Sequence, residues 1–358
     1  MSLAYKSGFI FATALVLVGF FTQRHQQDSL YFQVKDFPEL MDLVQKAYVD
    51  EVDLNDMMGG AFQGALENVD PGASYIPNGV PASNLADKVF KRYGIFLTKR
   101  ESYGFIAAVM PGSPAEQAGF QPGEILTRVG PLTTRTSSNY QVREWLIKAT
   151  EPIDCTVFTA QEEKEIMLKP GAWTRLPNAS SALEGDTLFI QLPIFTGDLA
   201  TWLPAELKRF PQAQKIVLDL RHNCLGQPEA LQVLADLFFK SGPIGSIQGP
   251  HQSMTMAVQK DGAFADFPLV VWVNASTSGS AEAFACLAKR QKRALLLGEN
   301  TLGLPNFYEL IPLKSQGYLE LSTRAYHILG DPIGNKGVTV DRILRQTDRA
   351  AVLAELGS

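Results

Sequence analysis

Residues able to do chemistry gather in two short stretches. Ser278 and Ser280 flank Gly279 in the run from Asn274 to Phe284, Asn-Ala-Ser-Thr-Ser-Gly-Ser-Ala-Glu-Ala-Phe. His222 and Cys224 follow the apolar run from Ile216 to Leu220. A serine hydroxyl is a poor nucleophile until a base takes its proton, and that help is typically worth about 10²–10⁴-fold. Lys289 cannot give it to Ser280: nine residues along one helix put the amine about 13 Å away along the axis. Without a base, these serines have the ordinary roles of capping and loop structure at a helix start. Cys224 with His222 makes a poor thiol site, because two residues apart on one loop is unfavourable attack geometry.

Both stretches lie where strands and helices alternate. From Leu183 onward, strands are expected at Leu188 to Leu192, Ile216 to Leu220, Leu269 to Val273 and Ala294 to Leu297. Helices are expected at Ala200 to Phe210, Glu229 to Lys240 and Ala281 to Lys292. This rhythm predicts an α/β domain with a largely parallel sheet. Residues 86–170 instead alternate short apolar runs with turns, as a small β-rich module does. Strands are expected at Ile95 to Leu97, Phe105 to Val109 and Ile125 to Val129, a short helix from Ala115 to Ala118 closed by Gly119, an amphipathic helix over 139–149 and a closing hairpin near 155–168. Residues 36–68 read as two helices, with a break at 49–53 and an Asp70-Pro71-Gly72 turn beyond them.

The N-terminus carries an uncharged stretch, residues 7–23, after Lys6 and before Arg24. It reads as an uncleaved membrane anchor, with a cleaved signal as the alternative. With Lys6 inside, the bulk of the chain faces the periplasm or cell exterior. The formal net charge of −5 argues against nucleic acid as a main partner. Three widely spaced cysteines give neither a disulfide framework nor a zinc pattern.

The residues resemble the C-terminal processing, or tail-specific, serine proteases. Val69-Asp70-Pro71-Gly72-Ala73-Ser74-Tyr75 is similar to the helical N-terminal segment of that family. The string from Gly112 to Glu124 resembles its PDZ domain. The segments around Leu218 to Asn223, Gly298 to Gly303 and Gly337 to Asp341 resemble its core. The resemblance implies a chain of α/β and α+β domains: an anchor at 1–28, a helical segment at 29–82, a PDZ domain at 86–172 and a protease-like core at 173–350. No cofactor and no metal are implied.

The resemblance also shows what is missing. With Glu282 aligned on the family's glutamate, the nucleophile position falls on Gly279, the general-base lysine position on Leu304 and the supporting glutamine position on Tyr308. The Pro-Gly-Gly loop of the family reads Cys224-Leu225-Gly226. Gly279 has no side chain and Leu304 has no titratable group, so no dyad is expected. The fallback is a rearranged site using Ser278 or Ser280, with His222 as base. In the PDZ part the resemblance implies a groove for a peptide C-terminus, with Arg92, Tyr93, Gly94, Ile95 and Leu97 on the carboxylate side and Val142 and Leu146 on the helix wall. The expected function is capture of protein C-termini or partner subunits by an inner-membrane-anchored, proteolytically inactive scaffold or regulator, as a homodimer or beside an active relative. The alternatives are a working endopeptidase with a rearranged site and a structural subunit of a membrane complex.

Overall fold

The computed structural model describes residues 35–78, 85–159, 162–171, 173, 178–195, 198–224, 228–344 and 349–357. The expected anchor at 7–23 and the altered loop residues Leu225 and Gly226 lie outside the described residues. No described helix is long and apolar enough to cross a membrane. The chain divides into two compact units, Met1–Phe62 and Gln63–Ser358. The first contains a helix over 35–47 and the start of the helix Leu54–Glu67, separated by the expected break.

In the second unit, one sheet carries the order Arg342–Ile343, Leu295–Gly298, Leu269–Val273, Lys215–Asp219, Thr187–Gln191, Ser180–Glu184. All neighbouring pairs are parallel except the last. The sequence Leu-Val-Val-Trp-Val of Leu269–Val273 is buried at every position, which explains the continuous apolar run: a parallel strand covered on both faces has no polar side to alternate with. The helix Gly279–Arg290 is buried from Ser280 to Ala288 and packs into the main core with Phe238, Phe239 and Val271.

A second sheet is antiparallel, in the order Ile95–Arg100, Tyr103–Val109, Ile125–Val129, Ile153–Phe158, Glu163–Leu168. The short helix Pro114–Ala118 starts at Ser113, whose hydroxyl accepts the amide of Glu116, and stops at Gly119 with φ 96°. The helix Asn139–Lys148 opens on a capping box between Ser138 and Gln141. The helix Leu85–Tyr93 was not anticipated. It makes Arg92 and Tyr93 the last turn of a helix rather than part of an open carboxylate-binding loop.

Gly94 follows at once with φ 65°, and a Cβ there would lie 2.1 Å from Cβ of Ser113. Both the backbone angle and the contact exclude a side chain. Gly94→Ala is therefore expected to destabilise the chain by about 2–4 kcal/mol, from left-handed strain plus overpacking. Urea denaturation checks it; an unchanged midpoint would show that the helix end shifts freely.

A third sheet, also unanticipated, is an antiparallel assembly built on the long strand Tyr318–Ile328. That strand pairs with Ser74–Ile76, Asn306–Pro312, Gly242–Gln248 and Asp331–Pro332.

Candidate functional site

Three adjacent parallel strands, Lys215–Asp219, Leu269–Val273 and Leu295–Gly298, end side by side and deliver three loops to one place. The C-terminal ends of such strands are where α/β sheets hold their ligands. The loops are knitted together by hydrogen bonds. Thr277 Oγ1 donates to the carbonyl of Leu220 at 2.9 Å, and the amide of Ser278 donates to the carbonyl of Asn223 at 3.0 Å. The amide of Leu302 donates to the carbonyl of Thr277 at 3.0 Å, and that of Gly279 to the carbonyl of Leu304 at 3.3 Å. Positions 279 and 304, the two expected at the dyad from the resemblance and 25 apart in sequence, are thus joined backbone to backbone.

Neither position offers chemistry. Gly279 has φ 59°, and a Cβ built on it meets nothing within 4 Å. The Leu304 side chain packs against the cluster of Phe105, Ala107 and Leu302. Tyr308, at the third position, points its hydroxyl to Asp70, donating to Oδ1 at 3.0 Å. Burial first, and then Asp70, holds that phenol above its ordinary range.

Glu282 explains why the frame persists. Its carboxylate is fully buried and accepts the Thr301 hydroxyl, the amide of Gly303 at 2.7 Å and the amide of Leu304 at 3.0 Å. Burial pushes the carboxyl up to about 7, against the pull of these donors and of Arg100. Glu282 therefore fixes the backbone of residue 304 against the helix that begins at 279. The far side of the same loop is held by Arg100 of the antiparallel sheet, which donates to the carbonyl of Leu302 at 2.9 Å and stacks 4.4 Å from the Phe105 ring centre.

The fallback nucleophiles both lie at the start of the buried helix. Ser278 stands at the N-cap in extended conformation without the capping bond expected of it. Ser280 lies inside the buried helix with its Oγ 2.9 Å from the Tyr326 hydroxyl. Lys289 reaches the opposite end of the domain, at Thr339 and Asp341. Burial pushes the Cys224 thiol up to about 12, far from a thiolate at neutral pH.

His222, the fallback base, is engaged at both ring nitrogens. Asn274 Oδ1 accepts the amides of His222 at 3.0 Å and Ser276 at 3.2 Å, so the Asn274 Nδ2 must face the ring. It lies 3.3 Å from Nε2, which then accepts, while Nδ1 carries the proton and donates to the carbonyl of Val109 at 3.2 Å. No lone pair remains to activate a serine.

A proton on Nε2 would set two donors against each other, and burial followed by Arg221 lowers the ring's affinity for it, with Asp219, the Val109 carbonyl and Glu116 opposing. The folded pKa is depressed, so this contribution is fully present above the unfolded value of about 6.5 and is lost as pH falls through the folded value. Wild type is expected to lose more stability than His222→Asn between pH 7.5 and 5; asparagine tolerates the φ of 62° at this position. Denaturation across that range checks it. The difference between the two chains is the readout, because Glu282 titrates in the same window with the opposite sign. Parallel curves would remove the assignment.

Five of the residues expected to line the peptide groove are buried in the core of the antiparallel sheet's domain, 0–6% exposed. Tyr93, Ile95, Leu97, Val142 and Leu146 share one apolar cluster, and the Tyr93 hydroxyl donates to the carbonyl of Leu146 at 2.8 Å. Arg92 differs from expectation: its guanidinium donates to the carbonyls of Ile147 and Ala149, both at 2.5 Å, at the end of the helix Asn139–Lys148. These carbonyls lack partners within their own helix and attract a cation, which is the physical reason the arginine goes there. Sequence reasoning missed Arg100, Arg143 and Glu320. Only the Asn139, Arg143, Leu146 spacing on one helix hinted that a charge is carried on a buried face.

Residues 186–344 match peptidase family S41, and residues 105–152 match a PDZ domain. The chain is 26% identical over 352 residues to the carboxy-terminal-processing protease of Bartonella bacilliformis, covering 94% of this chain and 81% of the relative. It is 24% identical over 220 residues to a "Probable CtpA-like serine protease" of Staphylococcus aureus, covering 60% of this chain and 44% of that protein. Among solved structures, a photosystem II D1 C-terminal processing protease superposes with a TM-score of 0.70 at 20% identity, covering 90% of this chain and 96% of that one. The last likeness concerns the fold alone. Together with these matches, the three sheets and the loops they deliver belong to a chain that carries a peptidase family S41 domain and a PDZ domain and that has relatives in sequence named carboxy-terminal-processing proteases.

Proposed function

We propose that this chain does not cleave peptides and instead binds protein C-termini or partner subunits as a scaffold or regulator. One observation carries the reading: the amide of Gly279 meets the carbonyl of Leu304, so the nucleophile and base positions abut, yet neither holds a hydroxyl or an amine. The surrounding hydrogen bonds keep that geometry without a reacting group in it. Binding of C-termini is supported by the PDZ match and by the position of Ile95–Arg100 at the edge of its sheet, directly after Gly94. An inner-membrane anchor at residues 7–23, with the bulk in the periplasm, follows from Lys6 and the uncharged stretch after it. Partners in this reading are C-terminal segments of other proteins, a second copy of the chain or an active relative.

The test has two arms on the purified chain. A fluorophosphonate is expected to leave its mass unchanged, and a library of peptides with free C-termini is expected to bind better than the same peptides amidated. Labelling that disappears in a Ser278→Ala, Ser280→Ala variant would establish a rearranged active site in its place. Equal binding of free and amidated peptides would remove C-terminus capture.

A further inference from the structure

A PDZ domain takes its peptide as an added strand along the edge of its sheet, where the ligand needs the carbonyls and amides of the edge strand. In this chain the edge strand is Ile95–Arg100, paired among the described residues with Tyr103–Val109 alone. One of its carbonyls is already taken: Arg143, on the helix Asn139–Lys148, donates Nη2 to the oxygen of Leu97 at 3.2 Å. The same guanidinium donates Nη1 to both carboxylate oxygens of Glu320, at 2.8 and 3.0 Å. Glu320 belongs to the strand Tyr318–Ile328 of the third sheet, so the contact ties the PDZ helix to the core. The two side chains are only 9% and 17% exposed. Neighbouring contacts tie the same strand and helix to residues 67–74. Lys99 pairs with Glu67 at 2.5 Å, Asn139 donates to the carbonyl of Gly72 at 3.0 Å, and the Tyr140 amide donates to Ser74 Oγ at 3.3 Å.

We propose that Arg143 is the gate and the specificity-determining residue of this groove, admitting C-terminal peptides that carry an acidic side chain near their end. A peptide strand can use Leu97 only after the arginine has left its carbonyl, and the partly buried guanidinium then needs another anion. Glu320 is the chain's own carboxylate in that role. An incoming glutamate or aspartate takes its place, whereas a neutral peptide leaves a desolvated arginine with less than it had, which is costly. Affinity for any peptide is also reduced by the fraction of chains whose gate is closed. The inference rests on the reading of the chain as a binder of C-termini.

Fluorescence anisotropy on the full chain tests it, using paired peptides that differ only by glutamate or glutamine near a free C-terminus. The wild-type chain is expected to prefer the acidic peptide. Glu320→Gln, nearly isosteric, is expected to bind the acidic peptide roughly tenfold tighter than wild type, since the competing carboxylate is gone. Arg143→Gln is expected to bind both peptides equally, with circular dichroism confirming that both variants are folded. A charge preference that survives in Arg143→Gln, or no gain in Glu320→Gln, overturns the gate while C-terminus capture stands. If no peptide binds any of the three chains, C-terminus capture itself fails, and the gate falls with it.

Discussion

A chain carrying both Gly279→Ser and Leu304→Lys is expected to be labelled by a fluorophosphonate at residue 279, while the wild-type chain and each single variant are not. A serine fits at 279 because a Cβ there meets nothing within 4 Å. Its φ of 59° costs a side-chain-bearing residue about 1–2 kcal/mol, which the helix and loops on either side can hold. A lysine at 304 begins from a backbone already hydrogen-bonded to residue 279. Its stem replaces leucine against the cluster of Phe105, Ala107 and Leu302, and that apolar setting lowers the amine's pKa toward the range where it can act as a base. The serine alone has no base and the lysine alone has no nucleophile. The double variant should therefore react about 10²–10⁴-fold faster than Gly279→Ser. Intact-mass measurement after labelling, with peptide mapping, gives the answer. A double variant that stays unlabelled would show that positions 279 and 304 are not the dyad frame.

Removing the buried carboxylate should have the largest effect on folding. Glu282→Ala leaves the Thr301 hydroxyl and the amides of Gly303 and Leu304 without their acceptor. Each buried group left unsatisfied costs about 1–3 kcal/mol, so a loss of about 3–9 kcal/mol is expected in urea denaturation. Glu282→Gln should lose less, because its carbonyl oxygen still accepts on one side while its NH2 faces a donor on the other. Hydrogen exchange should also accelerate at the amides of 303 and 304 in the alanine variant. An unchanged midpoint together with unchanged exchange would mean that the loop is held from elsewhere, by Arg100 and by the bonds between Thr301 and Val338.

What could be foreseen from sequence was what local chemistry decides. Leu269–Val273 is legible because a doubly covered strand must be apolar throughout. The helix Pro114–Ala118 is legible because its serine cap, its proline and its closing Gly119 each satisfy a backbone demand within a few residues. The third sheet was not legible. Strands such as Asn306–Pro312 and Tyr318–Ile328 are half-exposed and mix Glu309, Glu320 and Arg324 with apolar residues, so neither period stands out. Their register is set by partners far away in the chain, among them Ser74–Ile76 opposite residues 318–320. The helix Leu85–Tyr93 presents Val89, Phe90 and Tyr93 to the interior, but it is too short for its periodicity to separate it from the strand that follows.

The site divides in the same way. The meeting of positions 279 and 304 was expected only through the resemblance, with Glu282 aligned on the family's glutamate, because spacing alone does not say which loops meet. The fates of Arg92, Tyr308 and Arg143 could not be foreseen, since each reaches a carbonyl or carboxylate delivered by a distant element. His222 shows the limit most plainly. Its residue type suggested a base, and only the anchoring of Asn274 reveals that its lone pair is already in use.

The vacancy at Gly279 bears on how such a chain drifts over generations. With room for a side chain at 279 and an apolar one at 304, a hydroxyl and an amine come to face each other there only through two separate codon changes. In the proposed reading neither change alone yields a reactive pair, so each of the two positions answers to packing and not to catalysis.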